Sequence, residues 1–256
     1  FQSGVPPDYF SSTGQLWGTP TYFWSKHKNT NFDWWRKRFE RQFELVDLLR
    51  LDHFRGLAGY WRVNGNSKTA ICGKWINSPG RTLLNKLKID LGTDYLPIIA
   101  EDLGVITPDV EKLRKNFQLP GMKILQFAFD GNEDNPYLPK NIEGENWVVY
   151  TGTHDNSTSI SWWESLENNS KKRIKDEYKF SENPSWNLIT IGMNTNANLF
   201  IAPIQDILSL DDSSRLNIPG TTKNNWKWKL NRPLGEIEDN IRRFSELGNN
   251  FGRTRK

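Results

Sequence analysis

The chain has 256 residues and a net charge of +4, and its length suits one large core or an α/β barrel, which runs to about 250 residues. Lys and Arg are scattered among acidic residues and form no basic stripe, so we predict no nucleic-acid partner. No apolar run approaches the roughly 20 residues of a membrane span, and the single cysteine, Cys72, excludes an internal disulfide. We therefore expect a cytoplasmic protein with no membrane partner, or a plastid protein if the source is a plant or alga.

The first 24 residues have neither a helical nor a strand period and are rich in Gly, Pro and Ser, which is typical of a loop. Their aromatic side chains include Tyr9, Phe10, Trp17, Tyr22 and Phe23. A solvated linker would not be this aromatic, so we interpret residues 4–20 as a lid or rim over a binding cleft. Asp8 would bond ligand hydroxyls there or, as is commoner, its own turn.

Helical and strand patterns alternate after residue 33. Apolar runs predict strands over residues 48–53, 97–101, 123–129, 147–151 and 199–203. The patterns predict helices over residues 33–44, 82–89, 107–116, 159–178, 186–196 and 236–247. Residues 65–80 and the aromatic stretch 217–228 are predicted to be loops.

Apolar strands that alternate with helices indicate a parallel sheet buried on both faces. A closed (β/α)8 TIM barrel needs eight strands, and the sequence predicts five. Because the chain begins at Phe1 in a turn-like stretch, we expect its natural N-terminus to be missing. The simplest account is an incomplete α/β barrel, about strands 4 to 8 with their helices, without the first three strands; a five-stranded open sheet is the alternative. We divide the chain into a lid and rim segment, residues 1–33, and a barrel part, residues 34–256.

Three carboxylates, those of Asp52, Glu101 and Asp155, lie where apolar strands run into loops. Sites in parallel α/β sheets are built at the carboxyl ends of strands. Converging acids repel one another and burial raises at least one pKa, which is what glycoside chemistry needs: one ionised nucleophile and one protonated acid. An ordinary ion pair at a strand end is the structural alternative for Arg50 and Asp52.

Two of the three histidines, His53 and His154, are immediate neighbours of these acids and could bond sugar hydroxyls. Twelve Trp residues on a polar background also hint at carbohydrate, although core packing accounts for most of them. A metal site is disfavoured because the His and Asp residues are adjacent and not at the i, i+4 spacing of a helical site. We predict neither a metal nor a cofactor.

Several long motifs are present in a fixed order: Gly4-Val-Pro-Pro-Asp-Tyr-Phe-Ser-Ser-Thr-Gly-Gln15, Leu16-Trp-Gly18, Arg50-Leu-Asp-His-Phe-Arg-Gly56, Ala100-Glu-Asp-Leu-Gly-Val-Ile-Thr-Pro108, Tyr150-Thr-Gly-Thr-His-Asp-Asn156 and Asn217-Ile-Pro-Gly-Thr221. On these motifs the chain resembles the C-terminal half of the 4-alpha-glucanotransferases of the alpha-amylase clan, also known as amylomaltases or disproportionating enzymes. Such enzymes work without a cofactor or a catalytic metal.

The resemblance implies a role for each matching residue. Asp52 would be the nucleophile, Glu101 the general acid/base and Asp155 the transition-state stabiliser. The resemblance further implies substrate-binding or orienting positions at Arg50, His53, His154, Asp8, Trp17, Phe127 and Asn217.

The implied partners are alpha-1,4-glucans such as maltooligosaccharides and the chains of starch or glycogen. The implied reaction is a retaining transfer of glucan segments through a covalent glycosyl-enzyme. A hydrolase of the same clan is the nearest alternative, and an inactive or glucan-binding fragment is the alternative from another class. The oligomeric state is left open.

Overall fold

The computed structural model describes residues 1–7, 11–104 and 106–254. The strands are β1 Gln2–Val5, β2 Gln15–Pro20, β3 Leu49–Leu51, β4 Gly59–Val63, β5 Gly73–Asn77, β6 Ile98–Ala100, β7 Gly121–Ile124, β8 Trp147–Tyr150 and β9 Leu199–Ile201. The α-helices are α1 Trp24–Asn29, α2 Asp33–Phe43, α3 Gly80–Leu91, α4 Pro108–Asn116, α5 Ser159–Ser165, α6 Asn168–Tyr178, α7 Pro184–Met193, α8 Ile204–Ile207 and α9 Glu238–Asn250. The chain is a mixed α/β protein that divides into two compact units, Phe1–Gly121 and Met122–Lys256.

The first unit contains two sheets. Strands β3 and β6 pair in parallel, and an antiparallel sheet has the strand order β2-β1-β4-β5. The core of this unit lies between helices α2, α3 and α4 and the parallel pair, and its fully buried side chains include Phe54, Leu83, Leu84, Leu87 and Ile98. Helix α2 contributes Trp35 and Phe39 to that core, which is the amphipathic role that the sequence predicts.

The second unit is built on a sheet of order β7-β8-β9, in which β8 and β9 are parallel. Its main core joins the sheet to helices α6 and α7 through Leu125, Val149, Ile174 and Leu188. A second buried cluster, which includes Trp186 and Ile189 of α7, has Phe244 and Leu247 of α9 packed against it. Local signals explain the start of α7, because Asn183 accepts a hydrogen bond from the backbone N–H of Trp186 and Pro184 occupies the first turn.

All five predicted strands are present, although each is shorter than predicted. One predicted strand and one predicted helix are wrong in extent. The strand predicted over residues 123–129 ends at Ile124 and turns into a 3₁₀ helix at Leu125–Phe127. The helix predicted over residues 159–178 is two helices, because Leu166 and Glu167 have extended backbones.

The antiparallel sheet corrects the prediction that residues 1–24 and 65–80 are loops. Strands β1 and β2 form within the first segment and β5 within the second. Gly4 suggested a loop, yet it lies in strand β1. Only glycine fits at this position, because a Cβ there would lie 2.1 Å from the carbonyl oxygen of Gln15 on the paired strand. In the described part of the chain, no helix combines the length and apolarity needed to cross a membrane.

Candidate active site

Asp52 and Glu101 follow paired parallel strands at matching positions. The register pairs Arg50 with Ile99 and Leu51 with Ala100, so the next residues on each strand are the two acids. The ladder continues beyond the strands, since the Glu101 N–H donates to the Leu51 carbonyl at 3.1 Å and the Phe54 N–H donates to the Glu101 carbonyl at 3.1 Å. The structure therefore places both carboxylates at the carboxyl edge of one sheet, as predicted for this pair.

The Glu101 carboxylate is largely withdrawn from water and held by two backbone donors. The His53 N–H donates to Oε2 at 2.6 Å, and the Leu103 N–H donates to Oε1 at 3.1 Å. Burial raises the pKa of Glu101, and the Asp52 charge adds to the increase, while the two N–H groups and Arg50 oppose it. A carboxyl group with a raised pKa keeps its proton to higher pH and can deliver it to a leaving group.

Asp52 has the opposite environment. Its side chain is 76% exposed, and its Oδ1 lies 2.8 Å from a guanidinium nitrogen of Arg50, which comes from the same strand edge. The guanidinium group of Arg50 pairs with the Asp52 carboxylate and orients it. The two acids thus differ in the way that an attacking carboxylate and a proton-donating acid must differ.

His53 links the two acids through its backbone. It has a left-handed conformation, with φ of 47°, which directs its N–H at Glu101. Burial and the nearby Arg55 charge lower the pKa of its imidazole to about 4, so the ring is neutral at neutral pH. The indole of Trp17 contacts this ring edge to face, with centroids 4.7 Å apart.

Asp155 lies in the second unit, in the loop that follows β8. Its Oδ1 accepts a hydrogen bond from Nδ2 of Asn217 at 2.6 Å, and its Oδ2 lies 3.4 Å from Nε2 of His154. The His154 ring packs at 5.2 Å from the ring of Trp226, in the segment predicted as an aromatic loop. Two residues predicted for the site, His154 and Asn217, therefore contact the carboxylate of a third, Asp155.

Arg215 ties the Asp155 loop to the Asn217 segment. Its Nη2 donates to the Asp155 carbonyl at 2.7 Å, its Nε donates to the Asn217 carbonyl at 2.9 Å, and its Nη1 donates to Oγ of Ser157 at 3.0 Å. Sequence reasoning did not select this residue. Its position two residues before Asn217 in a matched motif is the signal that was available.

Asp206 fixes both ends of the same loop and was also not selected. Its side chain is almost fully buried and accepts hydrogen bonds from Oγ1 of Thr151 at 2.5 Å, from the Ser159 N–H at 2.8 Å and from Oγ of Ser159 at 2.8 Å. Burial raises the pKa of Asp206, and these hydrogen bonds oppose the increase. An acid within the apolar run Ile204-Gln-Asp-Ile-Leu208 was the sequence signal.

A small cavity of about 50 Å³ lies beside the Asp155 loop in the second unit. Its walls include His154, Ser157, Gln205, Asp206 and Arg215. The apolar residues Pro203 and Leu216 also contribute to the lining.

Two further residues predicted to bind substrate, Trp17 and Phe127, make none of the contacts described around Asp155. Trp17 is in β2 and Phe127 is in the 3₁₀ turn after β7, and both rings are partly exposed. Phe127 contacts Tyr137 edge to face at 5.5 Å. Asp8 lies outside the described residues.

Comparison with known proteins identifies the family. The family profile for 4-alpha-glucanotransferases matches residues 1–234. The chain belongs to glycoside hydrolase family 77. Within this family it is 48% identical to the 4-alpha-glucanotransferase of Synechocystis over 89% of the chain and 45% of that protein. It is 44% identical to the chloroplastic/amyloplastic enzyme of Arabidopsis thaliana over 98% of the chain and 44% of that protein.

A solved family 77 structure has the same fold. The amylomaltase from Streptococcus agalactiae, determined in complex with acarbose, superimposes with a TM-score of 0.92 at 36% identity, covering 99% of this chain and 51% of that one. The resemblance stated from the motifs is therefore confirmed. The chain spans about half the length of the relatives that it matches.

Proposed function

We propose that this chain carries the catalytic carboxylates of a 4-alpha-glucanotransferase that transfers alpha-1,4-glucan segments between maltooligosaccharides, including starch or glycogen chains. One observation carries the proposal. Asp52 and Glu101 end adjacent parallel strands at the same register, one exposed and paired with Arg50, the other buried with a raised pKa. Membership of family 77 makes glucan the natural substrate for this arrangement.

The first displacement forms a covalent intermediate. The Asp52 carboxylate attacks the anomeric carbon while the Glu101 carboxyl gives its proton to the glycosidic oxygen, so that the C–O bond to the leaving glucan breaks as the bond to Asp52 forms. Arg50 pairs with Asp52 through the 2.8 Å contact and orients the attacking carboxylate. Asp155, oriented by Asn217, stabilises the positive charge that develops on the sugar.

The second displacement reverses the roles. Glu101, now ionised, takes the proton from the 4-hydroxyl of an acceptor glucan, and that oxygen displaces Asp52. Two inversions at one carbon retain the alpha configuration. His53 and His154 would bond sugar hydroxyls, with His53 acting as a neutral ring because its pKa is about 4.

Transfer exceeds hydrolysis only if water is kept from the glycosyl-enzyme. The predicted lid, residues 4–20, is our candidate for this exclusion. Trp17, which is partly exposed and touches His53, supports the idea from the described residues. Asp8 would bond sugar hydroxyls from the same segment.

We also propose that the parallel strands belong to a (β/α)8 barrel. Support comes from the TM-score of 0.92 with an amylomaltase and from the parallel pairs β3–β6 and β8–β9. The lid and barrel division at residue 33, the absence of a cofactor and the cytoplasmic location stay predictions.

Incubation of the natural, full-length protein with maltotriose tests the function. We expect glucose together with maltooligosaccharides longer than maltotriose, separated by chromatography, and inhibition by acarbose. Products no longer than maltotriose would identify a hydrolase, and unchanged maltotriose with measurable binding would identify a glucan-binding protein; either result would overturn the proposal.

A further inference from the structure

The guanidinium group of Arg215 is bound at several points within the second unit. Nη2 and Nε donate to the carbonyls of Asp155 and Asn217, and Nη1 contacts Ser157 at 3.0 Å and the Asp212 carboxylate at 3.5 Å. Its side chain is 18% exposed. The hydrogen-bonding groups of Arg215 therefore contact other residues of the protein, and its role is to hold those residues in position.

Arg215 and Asn217 together contact both the main chain and the side chain of Asp155. Arg215 holds the main chains of Asp155 and Asn217 with one planar group, and the Asn217 amide then spans the same gap to reach the Asp155 carboxylate at 2.6 Å. A guanidinium group is a rigid fork, so it fixes the spacing between two carbonyls better than a flexible ammonium group would. The position of the Asp155 carboxylate is thus set from its main chain and from its side chain.

Arg215 is also connected to the start of helix α5, through Asp212. Asp212 accepts a hydrogen bond at 2.8 Å from the N–H of Thr158, the residue that caps this helix, and Asp212 contacts Arg215. Arg215 is consequently joined to a rigid element and not only to loop atoms. Such a frame can hold a carboxylate to the tolerance that transition-state stabilisation requires.

We propose that Arg215 is a positioning residue that sets the geometry of the Asp155–Asn217 pair for catalysis. The proposal rests on the proposed function, in which Asp155 stabilises the transition state. Loss of Arg215 then lowers kcat more than it changes KM, because substrate binding in the ground state needs the pair less than the transition state does.

Arg253 supplies a matched control. Its guanidinium group also donates to backbone carbonyls, those of Met193, Ala197 and Thr195, and it lies in the same unit. Arg253→Met removes a comparable set of ties without touching the Asp155 loop. A purely structural arginine would behave like this control.

The first arm measures maltotriose transfer by the full-length wild type, Arg215→Met, Arg215→Lys and Arg253→Met. We expect Arg215→Met to lower kcat on the order of 30-fold with KM changed less than about threefold, Arg215→Lys to recover part of the loss, and Arg253→Met to keep the wild-type kcat. Equal kcat values for Arg215→Met and Arg253→Met, or a loss confined to KM, would overturn the proposal.

The second arm is a double-mutant cycle with Asn217→Ala. If Arg215 acts through the pair, Arg215→Met costs less than about threefold in kcat once Asn217 is gone, because the geometry that it maintains no longer exists. The same fold-loss in both backgrounds would show independent action and contradict the proposal.

The third arm does not depend on activity. Amide hydrogen exchange of the peptide covering residues 152–158 should become faster in Arg215→Met and stay at the wild-type rate in Arg253→Met. A wild type that transfers no glucan would refute the proposed function, and the positioning claim would then be decided by this exchange measurement alone. Unchanged exchange in Arg215→Met would refute the positioning claim even in an active enzyme.

Discussion

The carboxyl groups of Asp52 and Glu101 show how neighbouring residues on one sheet edge obtain different chemistry. The first is exposed and pairs with Arg50, while burial raises the pKa of the second. The difference follows from how far each side chain is buried, and the apolar pattern of a strand does not reveal the burial of the residue after it. The sequence predicted both acids as site residues, and the structure shows how their environments differ.

Replacement of each predicted catalytic acid tests the assignment. Asp52→Ala, Glu101→Gln and Asp155→Ala should each lower kcat/KM for maltotriose by several orders of magnitude, on the order of 4 kcal/mol or more. Asp130→Asn is the control, because Asp130 is an exposed acid whose carboxylate accepts from the N–H of Asn132 in its own turn. Near-normal turnover in Asp52→Ala would remove Asp52 as the nucleophile.

His53 gives a prediction about pH and stability. Its folded pKa, about 4, is below the ordinary 6.5, so the unfolded chain binds the proton more tightly. Its contribution to stability is fully present above pH 6.5 and is lost as the pH falls through about 4, with a span of up to about 3 kcal/mol. Asn tolerates the left-handed backbone of this position, so His53→Asn should remove that part of the pH dependence in urea unfolding between pH 7 and pH 4. Parallel pH curves for wild type and variant would contradict the buried, neutral histidine.

At the scale of elements, the loop between β8 and α5 depends on a buried acid. Asp206 accepts from Thr151 at the end of β8 and from Ser159 at the start of α5. Asp206→Ala would leave three buried donors without an acceptor, so we expect a loss of about 3 kcal/mol or more in the free energy of unfolding. Asp206→Asn should cost less, because its amide oxygen can accept from the Ser159 N–H while the two hydroxyls rotate to accept.

Urea denaturation of both Asp206 variants measures the difference. Ile189→Val serves as the control, since it removes one methyl group from a buried side chain of α7 and should cost about 1 kcal/mol. If Asp206→Ala is no more destabilising than this control, the hydrogen bonds to Asp206 contribute little.

The predictability of these elements follows from the kind of signal that each one carries. Strands β3 and β6 are short apolar runs that an acid follows at once, so both the strands and the acids after them could be predicted. Strands β1 and β2 could not, because Gly4 and Gly18 suggest turns and only the close approach of Gln15 explains the first glycine. A glycine needed for close packing and one needed for a turn look alike in a sequence.

The candidate site divides in the same way. Family motifs marked Asp52, Glu101, Asp155 and Asn217, whereas the supports Arg215 and Asp206 became visible only through their contacts. Thr107 occupies the position before α4, where a threonine commonly caps a helix, but its side chain makes no capping hydrogen bond, and its hydroxyl accepts from Arg55. The local sequence pattern predicts where a helix-capping residue lies, but the residues that surround it in the fold determine which group its side chain bonds.

At the scale of the whole molecule, the salt dependence of binding distinguishes an uncharged glucan from an anionic ligand. The chain has a net charge of +4 and a pI near 9.0, which would suit an anionic partner, but the proposed substrate is uncharged. The KM for maltotriose should therefore change less than about twofold between 50 and 500 mM salt, because no counterions are released on binding. A nucleic-acid ligand would lose affinity by about a thousandfold over a similar range, so a steep salt dependence of KM would argue against a neutral ligand.

The matched register of Asp52 and Glu101 also bears on stereochemistry. Neighbouring strands lie about 4.8 Å apart, and the carboxyl groups of retaining glycosidases lie about 5–5.5 Å apart, whereas inverting enzymes need about 6.5–9.5 Å. Asp52 and Glu101 directly follow the paired residues Leu51 and Ala100, and a backbone spacing of about 4.8 Å is compatible with the separation of a retaining pair. A one-residue insertion before either acid would shift it by about 3.3 Å and turn it to the other face of the sheet. In the proposed reaction, retention of the alpha configuration therefore depends on the pairing register of strands β3 and β6.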